Sequence, residues 1–137
     1  MVLFGSSAEL IIDINLIAQY LVLFLLILGF IKRKPFKTHG YLMLVMTIIS
    51  VGTTLLIMGP SLILNFSTHP PTILVHSIVG LIAILIGALF NFKFFKAMKE
   101  KQPLMCGSKN FMRIAFVIWL IPILGGTFFY ISTYFVV

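Results

Sequence analysis

The sequence predicts an all-α protein: an antiparallel four-helix transmembrane bundle forming one integral-membrane domain over residues 1–137, with both termini outside the cytoplasm. Three observations predict it. The chain is 61% hydrophobic and only 9% charged, where soluble domains carry about a quarter charged residues. Four apolar stretches each reach the roughly 20 residues a spanning helix needs. All ten Lys and Arg residues lie in two segments, 32–37 and 93–113, and none in the tails or the intervening "NFSTHPPT" loop. By the positive-inside rule those two basic loops are cytoplasmic. The strand alternation of a membrane barrel is absent.

Helix 1 is expected over about residues 10–31. No basic residue precedes its apolar run, and the "KRKPFK" cluster follows it, so it reads as a retained span rather than a removed leader. Helix 2 is expected over about 39–64, with Thr38 as a potential N-cap and Gly59-Pro60 near its far end. Helix 3, about 72–92, starts after Pro70 and Pro71, which lack donor N–H groups and suit a helix start. Helix 4, about 113–134, contains Pro122, a kink position. The "KFFKAMKEK" stretch between helices 3 and 4 is expected to lie along the inner interface. Tyr130 and Tyr134 suit an outer aromatic belt.

The net charge is +7, but its placement is explained by topology and anionic lipid, so no nucleic-acid partner is expected. The single cysteine, Cys106, excludes an internal disulfide and a CxxC knuckle. No Ser/His/Asp set, phosphate-cradling glycine loop or HExxH motif is present, so a non-catalytic protein is expected. Four helices without paired broken repeats also argue against a transporter.

Intramembrane polar residues point to function. On helix 3, His76, Gly80, Ala83, Gly87 and Asn91 form one stripe at helical spacing. Small residues in such a stripe admit a neighbouring helix or a flat ligand. His76 is thus either a packing residue with one interhelical hydrogen bond, Asp13 and Asn65 being its nearest partners, or an axial ligand or proton-handling group. On helix 2 the corresponding stripe is His39, Met43, Met46, Ser50 and Thr53, and His39 is either a snorkelling interfacial residue or a cofactor contact. His39 and His76 begin at opposite faces, roughly 20 residues at ~1.5 Å per residue apart, so they cannot share one haem or metal. At the outer level Glu9, Asp13, His69 and His76 are the metal-ligand candidates, since carboxylate plus imidazole suits transition metals; the alternative is a carboxylate pair at the headgroup layer. His69, before the prolines, is expected in the loop. Asn15 and Gln19 give helix 1 a second polar face, and Gly125-Gly126 marks a close contact on helix 4.

The run "IIDINLIAQYLVLFLLILGFIKRKPFKTHGYLM", the later "LVHSIVGLIA" and the segment "IAFVIWLIPILGGTFFYI" after Arg113 together resemble the small four-helix YozB/CtaM-like membrane proteins. The likeness spans nearly the whole chain and is specific at Asn15, Gly29, His39, Met43, His76, Arg113, Trp119, Gly126 and Tyr130. That family is associated with assembly of haem-copper oxidases. The resemblance implies contact with haem or copper through the histidines, and an integral-membrane redox complex or oxidase subunits as partner. His39 and His76 match two of the family's four histidines. His69 stands displaced from a third, and Asn110 stands near the fourth. The function expected is a non-catalytic helper or small accessory subunit of a membrane redox or respiratory complex in the cell membrane, handling haem or copper near His76. The alternatives are a haem-b electron carrier and a purely structural subunit of another membrane metalloenzyme.

Overall fold

A computed structural model describes residues 8–104 and 108–135; Cys106, the lone cysteine, lies outside the described residues. All secondary structure among the described residues is helical. Four helices are long and apolar enough to cross a membrane: α1 (Leu10–Ile31), α2 (Phe36–Leu64), α3 (Pro71–Lys99) and α4 (Lys109–Tyr134). α1 packs on α2 and α4, and α3 packs on α2 and α4, so the helices close a ring in chain order.

Three helix starts and one helix end differ from expectation, each for a local reason. α2 begins at Phe36, because the extended Pro35 takes the N-cap position; Thr38 lies inside the helix and caps nothing. α3 starts at Pro71 with Pro70 as its N-cap. It does not stop near residue 92 but runs on to Lys99, so "KFFKAMK" continues the span. That segment holds no breaker, and Lys96 and Lys99 in the last turn complement the negative end of the helix dipole. It closes on a Schellman arrangement: Gln102 N–H donates to the Ala97 carbonyl at 2.9 Å and Lys101 N–H to that of Met98 at 3.4 Å. α4 begins four residues earlier than expected, because the Ser108 hydroxyl accepts the Phe111 N–H at 3.2 Å. It then runs through Pro122 without a break in helical structure.

Within α2, residues Thr54–Met58 form a π turn just before Gly59-Pro60. Proline removes one backbone donor and crowds the carbonyl four residues back; a π turn is one way for a helix to absorb this. Gly59 N–H reaches the Thr54 carbonyl, and a Cβ at residue 59 would stand 2.9 Å from that oxygen. The hydroxyls of Ser50 and Thr53 bond carbonyls of their own helix, at 3.0 Å to Met46 and 3.1 Å to Ile49. That half of the polar stripe is therefore satisfied locally.

The buried apolar core is a belt at mid-length: Val22 and Leu26 of α1, Met46 of α2, Ala83 of α3, and Trp119 and Ile123 of α4. Most other large apolar side chains face outward, as expected where lipid is the solvent. The belt divides the molecule into a terminal end, holding the start of α1, the α2–α3 loop and the end of α4, and a basic-loop end.

Candidate functional site

At the terminal end Asp13 is fully buried. The Tyr130 hydroxyl donates a short hydrogen bond to its Oδ1. Tyr130 is itself buried, so it belongs to the interior and not to an aromatic belt. Glu9 is exposed at the start of α1, away from the buried Asp13. His69 lies in the loop as the prolines predict, with Nε2 3.4 Å from the Ser61 carbonyl. Asn65 Nδ2 donates to the same oxygen at 3.2 Å. His76 meets neither expected partner; its ring stands edge-on to Phe129 with centroids 5.6 Å apart. Its Nδ1 lies where a Cβ on Gly125 would come within 3.1 Å. Glu9, Asp13, His69 and His76 are therefore not gathered into one ligand set. Among the described residues no three His, Cys, Asp or Glu side chains are placed to hold a metal ion. The reason is geometric: the prolines place His69 outside the helix that carries His76, and Asp13 is turned to α4.

Gly125 and Gly126 admit neighbours from two sides. His76 of α3 lies against the first, and Gln19 of α1 against the second, its Oε1 2.6 Å from where a Cβ on Gly126 would sit. Asn15 Oδ1 and Gln19 Oε1 are buried acceptors without a hydrogen-bond donor among the described residues.

The basic-loop end is built differently. A cavity of about 460 Å³ lies between all four helices, within the size range of small-molecule sites. Trp119, Thr47 and Gly87 close its floor. A Cβ on Gly87 would stand 2.8 Å from Trp119 Cζ2 and 2.9 Å from Thr47 Oγ1, so only glycine lets α3 approach there. Met43, Asn91 and Phe116 also line the walls. His39, on the cavity wall, is 6% exposed. Its Nδ1 donates to the Gly29 carbonyl at 2.8 Å. A carbonyl only accepts, so this bond places a proton on Nδ1, and in the neutral ring Nε2 then keeps its lone pair. Such a held imidazole is the usual form of a ligating histidine. His39 is thus a buried, oriented group and not a snorkelling one.

The stripe on α3 spans both ends. His76 and Gly80 lie against Gly125 and Pro122 of α4, Ala83 and Gly87 are buried, and Asn91 reaches the cavity. His39 and His76 sit on opposite sides of the core belt, as helix direction demands. Sequence reasoning missed the pairing of Tyr130 with Asp13 and the role of Gly29 as the acceptor for His39. Gly29 had stood out only as a position of resemblance, and Tyr130 as that and as a residue suited to an aromatic belt. The cavity itself had no sequence signal beyond the small residues Gly29, Gly40 and Gly87.

Four helices long and apolar enough to cross a membrane, joined by short loops, define a multi-pass helical membrane protein by length and composition. The chain matches no protein-family profile, no curated protein and no solved structure.

Proposed function

We propose that this protein is a non-catalytic helper or small accessory subunit of a membrane redox or respiratory complex, contacting haem or copper at the His39 cavity. The observation that carries the reading is the His39 ring, held through Nδ1 by the Gly29 carbonyl, with its other nitrogen available beside a cavity that also receives Met43 and Met46. Imidazole and thioether are ligand types for both haem iron and copper. The likeness to the YozB/CtaM-like proteins supports the same direction. The frame is an antiparallel bundle, supported by the order of contacts: residues 13 and 19 of α1 meet 130 and 126 of α4, and residues 76, 80 and 87 of α3 meet 125, 122 and 119. The basic loops are cytoplasmic and both termini outside, a reading that rests on the one-sided placement of Lys and Arg.

Purification of the tagged full chain in mild detergent tests the function. Subunits of a haem- or copper-containing membrane complex are expected to accompany it. Isolation alone, under conditions that keep respiratory complexes intact, refutes the reading. Sidedness is tested in a Cys106→Ser background with a membrane-impermeant maleimide on intact cells. Ser67→Cys is expected to label and Ser108→Cys to stay unlabelled; the reverse pattern inverts the topology.

A further inference from the structure

The cavity at the basic-loop end combines two features that select one kind of occupant. Its body is aromatic and apolar, lined by Phe90, Phe116 and Trp119 among others, and five of its lining residues are Lys or Arg while none is Asp or Glu. The chain has three acidic residues in all. Glu9 and Asp13 stand at the opposite end, as the N-cap and in the first turn of α1, and Glu100 lies beyond α3 as its C-cap and does not line the cavity. Among the described residues, therefore, no side-chain carboxylate meets these cations. Arg33 is occupied locally, its Nε donating to the Phe30 carbonyl at 2.9 Å and its guanidinium stacked 4.3 Å over the Phe30 ring. Lys93, Lys109 and Arg113 are exposed, with no such tie among the described residues. Cationic loops alone are explained by topology. Cations around the mouth of an aromatic cavity are a different arrangement, because a ligand can satisfy mouth and walls together.

We propose that this cavity binds an amphiphilic anion, its acid groups at Lys93, Lys109 and Arg113 and its apolar body against Phe90, Phe116 and Trp119. The proposal rests on taking the His39 cavity as the place of cofactor contact, and it narrows the occupant. A free copper ion meets five like charges there and no carboxylate. A tetrapyrrole bearing carboxylates meets cations at its acid edge, apolar walls at its face and the His39 Nε2 beside it. An anionic phospholipid offers the same chemistry, with phosphate for carboxylate and an acyl chain for the ring. In both cases charge-assisted hydrogen bonds at the mouth add to burial of apolar surface below.

Trp119 is the only tryptophan of the chain and forms part of the cavity floor, which makes its fluorescence a reporter of entry. The purified full chain, in an uncharged detergent, is titrated with two matched pairs of probes. The first pair is haemin and its dimethyl ester; the second is brominated phosphatidylglycerol and brominated phosphatidylcholine. The acid-bearing member of at least one pair is expected to quench Trp119 strongly, and its neutral counterpart weakly. Haemin quenching with a shifted Soret band that His39→Ala abolishes identifies the tetrapyrrole source. Phosphatidylglycerol quenching that survives His39→Ala identifies the lipid source. The Lys93→Gln/Arg113→Gln double variant is expected to weaken binding roughly tenfold or more, with Arg113→Lys near the parent. Circular dichroism and gel filtration confirm that each variant is folded; should the double variant not fold, the matched pairs decide alone. Equal quenching by neutral and acidic members, no quenching by any probe, or undiminished binding by a folded double variant overturns the proposal. A chain that binds an acidic probe yet purifies without partners keeps this inference and loses only the preceding one.

Discussion

At the terminal end, side chains fill the space between helices: Tyr130 closes on Asp13, Gln19 lies against Gly126, and His76 against Gly125. At the basic-loop end the same four helices stand apart around about 460 Å³, and of the buried polar groups there, His39, Thr47 and Asn91, the imidazole is held on one nitrogen only. Both ends place a polar group in the bundle, but they spend small residues differently. Gly125 and Gly126 bring helices together at the closed end. Gly29 and Gly40, with Gly87 at the floor, leave room for Met43, the Phe94 ring and Trp119 to shape a wall. The difference teaches that polar residues in lipid serve two purposes here: joining helices side chain to side chain, as Tyr130 does to Asp13, and turning a nitrogen toward a cavity while the other is tied to a neighbouring helix, as His39 does.

The largest expected effect tests that contrast directly. Gly126→Leu drives a side chain into Gln19 and should cost about 3 kcal/mol, at the upper end of overpacking penalties, read as a marked fall in thermal stability in detergent. Ala97→Leu, on the cavity wall, should cost less than about 1 kcal/mol because space already exists. Equal losses at the two positions would abolish the distinction between closed and open ends.

Next comes the clamp. Tyr130→Phe removes a donor from a fully buried carboxylate, and a buried group deprived of a partner costs about 1–3 kcal/mol. Replacing both members, Asp13→Leu with Tyr130→Phe, should cost less than the sum of the two single losses, since the bond between them is then counted once. A double variant as damaged as the sum of the two single ones would show that the two side chains act independently.

The four spanning helices were legible because they depend on quantities that survive without coordinates: apolar length, proline position and the confinement of Lys and Arg to the segments between apolar runs. Each spanning segment follows from these. Helix ends were less legible. The start of α4 depends on Ser108, and the end of α3 on an arrangement of backbone donors after Lys99; local capping competes there with hydrophobic length. The candidate site was legible only in part. His39 stood out as an imidazole in lipid, but its fixed tautomer depends on the Gly29 carbonyl of another helix, and no spacing rule connects residues 29 and 39 across a loop. The outer cluster was misleading for the same reason. Glu9, Asp13, His69 and His76 share a depth, yet depth does not fix azimuth, and helix rotation turned Asp13 to Tyr130 and His76 to Phe129.

A smaller effect is expected at His39. His39→Ala leaves the Gly29 carbonyl without that donor, at a cost of about 1 kcal/mol, with more room in a cavity that is already open. Its stability loss should fall below that of Tyr130→Phe, while binding of a ligand that uses Nε2 is lost. A larger stability loss than Tyr130→Phe would mean that His39 is chiefly a structural cross-link, like the groups at the other end.

The smallest effect concerns a residue that belongs to neither polar group and so sets the baseline for both. Lys101 follows α3 with φ 52°, in the left-handed region where a Cβ crowds the following carbonyl at a cost of about 1–2 kcal/mol. It holds the position that glycine favours in a Schellman ending, and the Gln102 and Lys101 N–H bonds require that backbone conformation. Lys101→Gly removes the steric cost. It also adds freedom to the unfolded chain, which offsets about 0.5–1 kcal/mol of the benefit. A net gain of roughly 0.5 kcal/mol is expected, seen as a slight rise in melting temperature. Lys101 does not line the cavity, so acidic-probe binding should stay at the parent level. If Lys101→Gly weakens that binding as strongly as the Lys93→Gln/Arg113→Gln pair, the attraction is a diffuse property of the basic loops and not of the cavity mouth, and the open end loses its claim to a built site.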